Sequence, residues 1–194
     1  MWLSLVLAIP FGIYEKDWMS IFISLVVLSS SIYAIKLCQE IEFKIPSSLI
    51  TASIIFIYAS LFLGEVHNFY GRFWWWDSVL HASSAIGFGL IGATILVLMT
   101  RQGKVKASPA IISIFVFSFA LAIGAVWEIF EYFMDQFFGM NMQKDGLHDT
   151  MKDLIVDTFG ALIATAVSYL YFSNNKIGIL SSVIDEAVTK NTTK

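Results

Sequence analysis

The feature that most constrains this chain is a series of apolar runs, each about as long as a lipid bilayer is thick. Runs of roughly 20 apolar residues cross the hydrocarbon core of a membrane as α-helices, and five or six of them follow one another here. Only 14% of the 194 residues are charged, whereas about a quarter are charged in an average globular domain. A soluble helical protein contains fewer such runs, so the sequence predicts an all-α fold, a polytopic transmembrane helical bundle of about six spans.

One transmembrane helical domain is predicted to cover residues 1–173. Its first helix is short for a span and contains Pro10 and Gly12, which favour a kink. Pro109 suits the start of the fifth helix and Gly139 suits its end. Residues 174–194 are predicted to form a short polar cytoplasmic tail that includes one short amphipathic helix. The predicted helices cover about 2–14, 18–37, 48–66, 77–100, 109–138 and 148–172.

The distribution of basic residues predicts the orientation of the chain in the membrane. Cytoplasmic loops carry an excess of Lys and Arg, and the basic residues here divide eight to four in favour of the side that holds both termini. We therefore expect a multi-pass protein of the cell (inner, cytoplasmic) membrane with both termini in the cytoplasm. The eight are Lys36, Lys44, Arg101, Lys104, Lys106, Lys176, Lys190 and Lys194, and the four are Lys16, Arg72, Lys144 and Lys152.

Composition excludes several other kinds of site. The single cysteine, Cys38, allows neither an internal disulfide nor a thiolate site with several cysteines. No basic patch suggests nucleic acid, so the predicted partner is the lipid bilayer. The N-terminus lacks the basic stretch and the small-residue cleavage site of a signal peptide, which predicts a retained first helix. The sequence leaves the oligomeric state open.

Ionisable residues are concentrated at the end of the predicted spans opposite to both termini. Eleven of the fifteen carboxylates and all three histidines fall there, several of them inside apolar stretches. An ionisable group at membrane depth is costly and usually faces a partner, a cavity or a metal. An outward-facing acidic site is therefore predicted. The carboxylates are Glu15, Asp17, Glu65, Asp77, Glu128, Glu131, Asp135, Asp145, Asp149, Asp153 and Asp157, and the histidines are His67, His81 and His148.

Asp77 and His81 are four residues apart, which places them on one helix face about 6 Å apart along the axis. A carboxylate and an imidazole at this spacing can bind one metal, or the carboxylate can orient the imidazole. The alternative is structural. Asp77 then interacts with the helix dipole, and His81 is satisfied by a neighbouring helix.

Glu128 and Glu131 share a face of the next helix, and Asp135 continues that face. Like charges at this spacing repel, and near lipid the repulsion is poorly screened. A cation, a shared proton or a basic side chain is therefore expected beside them. A structural salt-bridge network is the alternative, with Lys16, Arg72, Lys144 and Lys152 as the candidate partners.

Asp149, Asp153 and Asp157 form roughly one stripe of the last span. Asp149 also suits a helix N-terminus, whereas Asp157 lies about 12 Å further along the helix and must be neutralised or paired. Carboxylates and imidazoles from several helices build di-iron and di-manganese sites, although the Glu-x-x-His pairs of those proteins are missing here. Oxygen-rich ligation predicts a divalent metal such as Mg, Mn, Ca or Fe.

Three stretches carry a resemblance to a known family: WWWDSVLHASSAIGFGLIG, AVWEIFEYFMDQFFGMNMQ and GLHDTMKDLIVDTFGALIA. They resemble the signature stretches of the uncharacterised YjdF-like bacterial and archaeal membrane proteins, over about residues 61–170. A weaker similarity links them to VanZ-like proteins, which are associated with glycopeptide-antibiotic resistance and have a Gln where Glu131 stands. The resemblance implies no activity. It implies the signature residues Asp77, His81, Trp127, Glu128, Glu131, Asp149, Thr150 and Asp153.

The leading functional hypothesis is a metal-binding membrane protein, extended to a metal-dependent hydrolase of a lipid-linked or amphiphilic substrate. A bound cation would polarise a phosphoryl or carbonyl oxygen and activate water. His81 is predicted as a ligand or general base, and Glu131 as a base or a group behind the ligands. The predicted metal ligands are Asp77, His81, Glu128, Asp149, Asp153 and Asp157.

Two other functions remain open on the sequence, so whether the protein is an enzyme is open as well. One is transport of protons or a divalent cation along the same carboxylates. It requires polar groups that continue to the cytoplasmic face, and beyond Asp157 the last span offers only hydroxyl groups. The other is a non-catalytic ligand-binding or assembly subunit, which predicts carboxylates paired with Arg72 or Lys152 and no bound metal.

Overall fold

The computed structural model describes residues 1–40, 45–173 and 178–192, and within these ranges the regular structure is helical. The all-α prediction is therefore confirmed. Lys44, Lys176 and Lys194, three of the eight basic residues on the side of both termini, lie outside the described residues. The elements are α1 (Trp2–Glu15), α2 (Trp18–Glu40), α3 (Ser47–Ile57), a π-helical segment (Tyr58–Val66), α4 (Phe69–Arg72), α5 (Trp76–Arg101), α6 (Pro109–Phe138), α7 (Leu147–Phe172) and α8 (Gly178–Thr192).

Five helices are long and apolar enough to cross a membrane, which confirms the polytopic architecture. The remaining predicted span, α1, is apolar but has only 14 residues. About 20 residues of helix are needed to cross a bilayer. At 14 residues, α1 is shorter than this and is the shortest of the six predicted spans. The five are Trp18–Lys36, Ser47–Val66, Trp76–Arg101, Pro109–Phe138 and Leu147–Phe172.

The ends of α6 follow from local sequence chemistry. Ser108 is the N-cap, and its hydroxyl accepts a hydrogen bond from the Ile111 backbone N–H at 3.4 Å. Pro109 occupies the first helical position, where its missing N–H has no helical partner to lose. Gly139 ends the helix with a positive φ of 65°, a conformation that glycine adopts without a steric penalty. Both predicted ends of this helix are confirmed.

The chain divides into two compact units, Met1–Trp76 and Asp77–Lys194. In the first unit, α1, α2 and the π-helical segment enclose Leu5, Ile23, Val27 and Phe62. The second unit contains α6, α7, α8 and all of α5 after Trp76. Each unit thus has its own apolar core.

In the second unit, α5 and α7 approach closely because small residues face each other. A Cβ atom at Gly160 would lie 2.6 Å from the Ala82 carbonyl oxygen and 2.8 Å from Ala85 Cβ. A Cβ atom at Gly89 would overlap Ala164 Cβ. Small residues allow this approach of helix backbones in membrane bundles. The close approach brings the polar ends of α5 and α7 within side-chain reach.

The predicted polar tail contains α8, which belongs to the second compact unit. Ile184 is fully buried and Val188 nearly so, and both are part of the unit's apolar core. The Tyr171 hydroxyl of α7 donates a hydrogen bond to Asp185 Oδ1 at 2.9 Å. The predicted amphipathic helix is therefore present and packs on the spans, whereas residues 174–177, which precede it, lie outside the described residues.

Candidate metal centre

Three helices of the second unit, α5, α6 and α7, bring their acidic residues together. Asp77 and His81 are four residues apart on α5. Glu128 lies on α6, and the aspartates of α7 recur every four residues, so they follow one face. The structure thus brings together all six predicted metal ligands. Their relative exposures are 8% for His81, 4% for Glu128, 6% for Asp149, 1% for Asp153 and 0% for Asp157, and 17% for the side chain of Asp77.

The imidazole of His81 has carboxylates at both of its nitrogens. Its Nε2 is 3.9 Å from Asp77 Oδ1 and 3.9 Å from Glu128 Oε1. Its Nδ1 is 3.3 Å from Asp157 Oδ1. A carboxylate at one ring nitrogen fixes the tautomer and the orientation of the ring, which leaves the other nitrogen to bind a metal. Asp157 therefore stands where it would orient His81 with Nε2 towards Asp77 and Glu128.

Among the described residues, two groups of side chains have three potential metal ligands close together. His81, Glu128 and Asp153 form the first group, which we call the inner triad. Asp77, Asp149 and Asp153 form the second, the outer triad. Within each triad the ligand atoms lie within 4.8 Å of one another. Asp153 belongs to both triads, so the two are contiguous.

Five oxygens of this cluster are buried without a hydrogen-bond partner in the described part of the chain. They belong to Glu128, Asp153 and Asp157. A buried carboxylate oxygen without a donor costs far more than a hydrogen-bonded one. His81 Nδ1 lies 3.3 Å from Asp157 Oδ1, but this contact does not have hydrogen-bond alignment. The inner triad is therefore short of positive charge and of donors.

Two lysines compensate the outer triad. Lys152 Nζ is 3.2 Å from Asp149 Oδ1 and 3.6 Å from Asp153 Oδ1, and Lys144 Nζ is 3.4 Å from Asp77 Oδ2. Both lysine side chains are more than a third exposed. The predicted salt-bridge alternative thus describes the outer triad in part. It does not extend to Glu128, for which no lysine contact is found among the described residues.

The loop between α6 and α7 is anchored so that Lys144 reaches α5. Asp135 accepts hydrogen bonds from the backbone N–H groups of Met142 at 2.7 Å and Gln143 at 2.9 Å. The Gln143 side-chain amide donates to the Thr150 hydroxyl at 2.6 Å. Asp135, which the sequence placed on the acidic face of α6, is therefore a loop anchor.

Glu131 and Asp157 are in neither triad. The Trp127 indole N–H donates a hydrogen bond to Glu131 Oε1 at 2.8 Å. Glu131 lies one helical turn from Glu128, while Asp157 faces the opposite side of the His81 ring. These positions suit the predicted base role of Glu131 better than ligation, and they suit Asp157 as an orienting group better than as a direct ligand. His148 is exposed at the start of α7.

Gly124 is a residue of the site that the sequence reading missed. A Cβ atom there would overlap Asp157 Oδ2 and lie 2.9 Å from Asp157 Cγ. The carboxylate thus fits against the backbone of α6 only because residue 124 has no side chain. Its position one turn before Glu128, on the same face of α6, is the signal that points to it.

Comparison with known proteins agrees with this architecture. A family model described as a predicted membrane protein (DUF2238) matches residues 1–174. This chain belongs to the DUF2238 family. The resemblance to an uncharacterised, YjdF-like membrane family is therefore confirmed, and the DUF2238 chain is an integral membrane protein. These matches do not test the weaker similarity to VanZ-like proteins.

One curated relative of this DUF2238 chain extends the comparison. A Thermotoga maritima protein named "Uncharacterized protein" is 27% identical over 131 residues, which are 68% of this chain and 65% of the relative. The match thus spans slightly less than two thirds of that relative. No solved structure matches the chain.

Gly124→Ala is expected to destabilise the protein by about 1–3 kcal/mol, because the added methyl group displaces the Asp157 carboxylate. On an Asp157→Ala background the same substitution is expected to cost almost nothing, because the overlapping group is gone. Thermal unfolding of the four proteins in detergent measures the coupling. Equal costs of Gly124→Ala on both backgrounds would contradict the packing of Asp157 against residue 124.

Proposed function

We propose that this membrane protein binds a divalent cation at the inner triad of His81, Glu128 and Asp153. The observation that carries the proposal is the state of Glu128. Its side chain is only 5% exposed, and neither of its carboxylate oxygens accepts a well-aligned hydrogen bond in the described part of the chain, although the Thr150 hydroxyl is close enough to interact with it. A buried carboxylate is ordinarily paired or coordinates a metal.

The spacing of the inner triad supports a shared cation. Two ligands bound at about 2.1 Å to the same metal lie about 3–4 Å apart, depending on the angle between them. His81 Nε2 and Glu128 Oε1 are 3.9 Å apart. Two carboxylates and one imidazole form an oxygen-rich set, which favours Mg, Mn, Ca or Fe over Cu. The chemical class of the cofactor is therefore a hard divalent cation.

We extend the proposal to hydrolysis of a lipid-linked or amphiphilic substrate. A divalent cation supplies a Lewis acid for a phosphoryl or carbonyl oxygen and acidifies bound water. Glu131 is half-buried one turn from Glu128 and is the candidate base. Its hydrogen bond from the Trp127 indole N–H fixes its carboxylate.

An amphiphilic substrate is favoured by the surface of α6 around Glu131. Trp127 is 45% exposed, Phe130 43% and Tyr132 55%. Exposed aromatic side chains on a membrane span face lipid or a lipid-like ligand. A substrate held in the bilayer would therefore meet apolar surface next to the candidate base.

Transport is less well supported, because the unit is apolar beyond the site. Leu90, Val97, Ile112 and Val116 are buried in its core. The hydroxyls of Thr158, Thr165 and Ser168 all donate to carbonyls of their own helix, at 2.7–2.8 Å. Because these hydroxyls are engaged within α7, they do not form a polar path through the described residues from Asp157 to the other end of the helix.

We also propose that both termini lie in the cytoplasm of the cell and that the site faces outward. The support is the excess of basic residues on the terminal side of the predicted spans. Among the described residues, Arg101 and Lys104 flank the α5–α6 connection on that side, and Lys144 lies on the other.

Glu128→Gln and His81→Ala are each expected to lower the metal content of the purified protein by one equivalent per chain. Elemental analysis after growth with Mg, Mn, Ca and Fe measures this loss. Glu65→Gln is the matched control, because Glu65 is an exposed glutamate of another span, and it should retain the parent's metal content. A parent protein without bound divalent metal would refute the proposed site.

Metal-loaded protein is expected to hydrolyse a long-chain alkyl phosphate or a long-chain carboxylic ester in mixed micelles. Release of phosphate or fatty acid is measured with and without EDTA. Glu131→Gln should keep its metal but lose about 10²–10⁴-fold in rate, because a general base contributes that much. Full metal occupancy with no turnover of either ester would remove the hydrolase proposal and leave metal binding intact.

Orientation is tested with Asp145→Cys and Lys104→Cys in a Cys38→Ser background. Both positions are exposed and lie in connections at opposite ends of α6. A membrane-impermeant thiol reagent added to intact cells should label Asp145→Cys, and Lys104→Cys only after permeabilisation. The reverse pattern would place the termini and the site on the opposite sides.

A further inference from the structure

We propose that the centre holds two divalent cations, the second at the outer triad of Asp77, Asp149 and Asp153, with Asp153 as the bridging ligand. This inference rests on the proposed function and adds the second cation and the substrate class. Asp153 is 1% exposed, and its Oδ1 has no hydrogen-bond partner in the described residues. One oxygen of each outer-triad residue lies within 4.8 Å of the others.

The charge of the cluster is compatible with a second cation. The two triads and Asp157 hold five carboxylates, which face two lysines. With the five ionised and His81 neutral, three negative charges remain, so one divalent cation would leave one of them uncompensated in a part of the protein where repulsion is poorly screened. That remaining charge attracts a second divalent cation.

The lysines at the outer triad contact the oxygens that a second cation would use. Lys152 contacts Asp149 Oδ1 and Asp153 Oδ1, and Lys144 contacts Asp77 Oδ2. These contacts, at 3.2–3.6 Å, are longer than the roughly 2.7–2.9 Å of strong charge-assisted hydrogen bonds. Both lysines have flexible stems and partly exposed ends. They can leave the carboxylates for solvent when a more highly charged cation binds.

Two cations joined by a carboxylate favour one class of substrate for the proposed hydrolysis. Two-metal sites with ions about 3.5–4 Å apart stabilise both the attacking and the leaving oxygen of a phosphoryl group. The displaced lysines would lie at the edge of the site, where cationic side chains bind phosphate oxygens. The inference therefore assigns a phosphate ester with an apolar chain as the substrate class. Water gives one proton to Glu131 as its oxygen attacks phosphorus, the P–O bond to the leaving group breaks, and the leaving alkoxide takes up that proton from Glu131.

The test is a titration of the purified full-length protein with Mn²⁺, followed by equilibrium dialysis and by EPR. The parent should bind two equivalents with an exchange-coupled EPR signal. Asp149→Asn and Glu128→Gln should each bind one equivalent without coupling, and Asp153→Asn should weaken both. Asp145→Asn, an exposed aspartate of the adjoining loop, is the matched control and should keep two. Thermal unfolding of each variant confirms that it is folded.

The outcomes separate this inference from the proposed function. If the parent binds a single equivalent of Mn²⁺, and this equivalent is lost in Glu128→Gln and kept in Asp149→Asn, the second cation is refuted. The cation at the inner triad is then still supported. If the parent binds no Mn²⁺, the cation at the inner triad and the cation at the outer triad are both refuted. Lys152→Met should tighten the weaker equivalent by about two- to fivefold, because an exposed ion pair of a few tenths to 1 kcal/mol no longer competes. Unchanged affinity in Lys152→Met would overturn the shared use of the Asp149 and Asp153 oxygens.

Discussion

The cost of burying carboxylates beside one imidazole is the constraint on which the second unit depends. Glu128, Asp153 and Asp157 are almost inaccessible to solvent, and His81 stands between two of them. Uncompensated charge at such positions would oppose folding by several kcal/mol per ion. The close packing of α5, α6 and α7 is therefore compatible with a stable protein only when a cation, a proton or a basic side chain neutralises these carboxylates.

The cluster obtains positive charge differently at its two levels. The outer carboxylates have lysines from the α6–α7 loop and from α7 itself, and the loop is held in place by Asp135. Of the inner carboxylates, Asp153 has Lys152 at 3.6 Å, whereas Glu128 has His81 but no lysine contact among the described residues. The outer triad is thus salt-bridged to lysines, whereas Glu128 of the inner triad lacks such a partner in the described residues.

Much of this site was predictable because helical periodicity determines which residues of one helix share a face. The four-residue spacing of Asp77 and His81 predicted that they share a helix face, and the spacing on α7 predicted that its three aspartates form one stripe. The roles of Glu131 and Asp157 were less predictable. Which carboxylate meets which ring nitrogen depends on the rotation and axial offset of neighbouring helices, and no pattern within one helix encodes these quantities.

The sequence by itself determined the membrane-spanning helices, because apolar length and the residues at helix ends act locally. It also determined the family and the set of ionisable residues at one end of the spans. Only the tertiary structure decided that Asp153 is shared by two triads and that Asp157 lies behind His81. The physical reason is steric. Residues without side chains, such as Gly124, set how closely the helices approach, and that distance decides which charges meet.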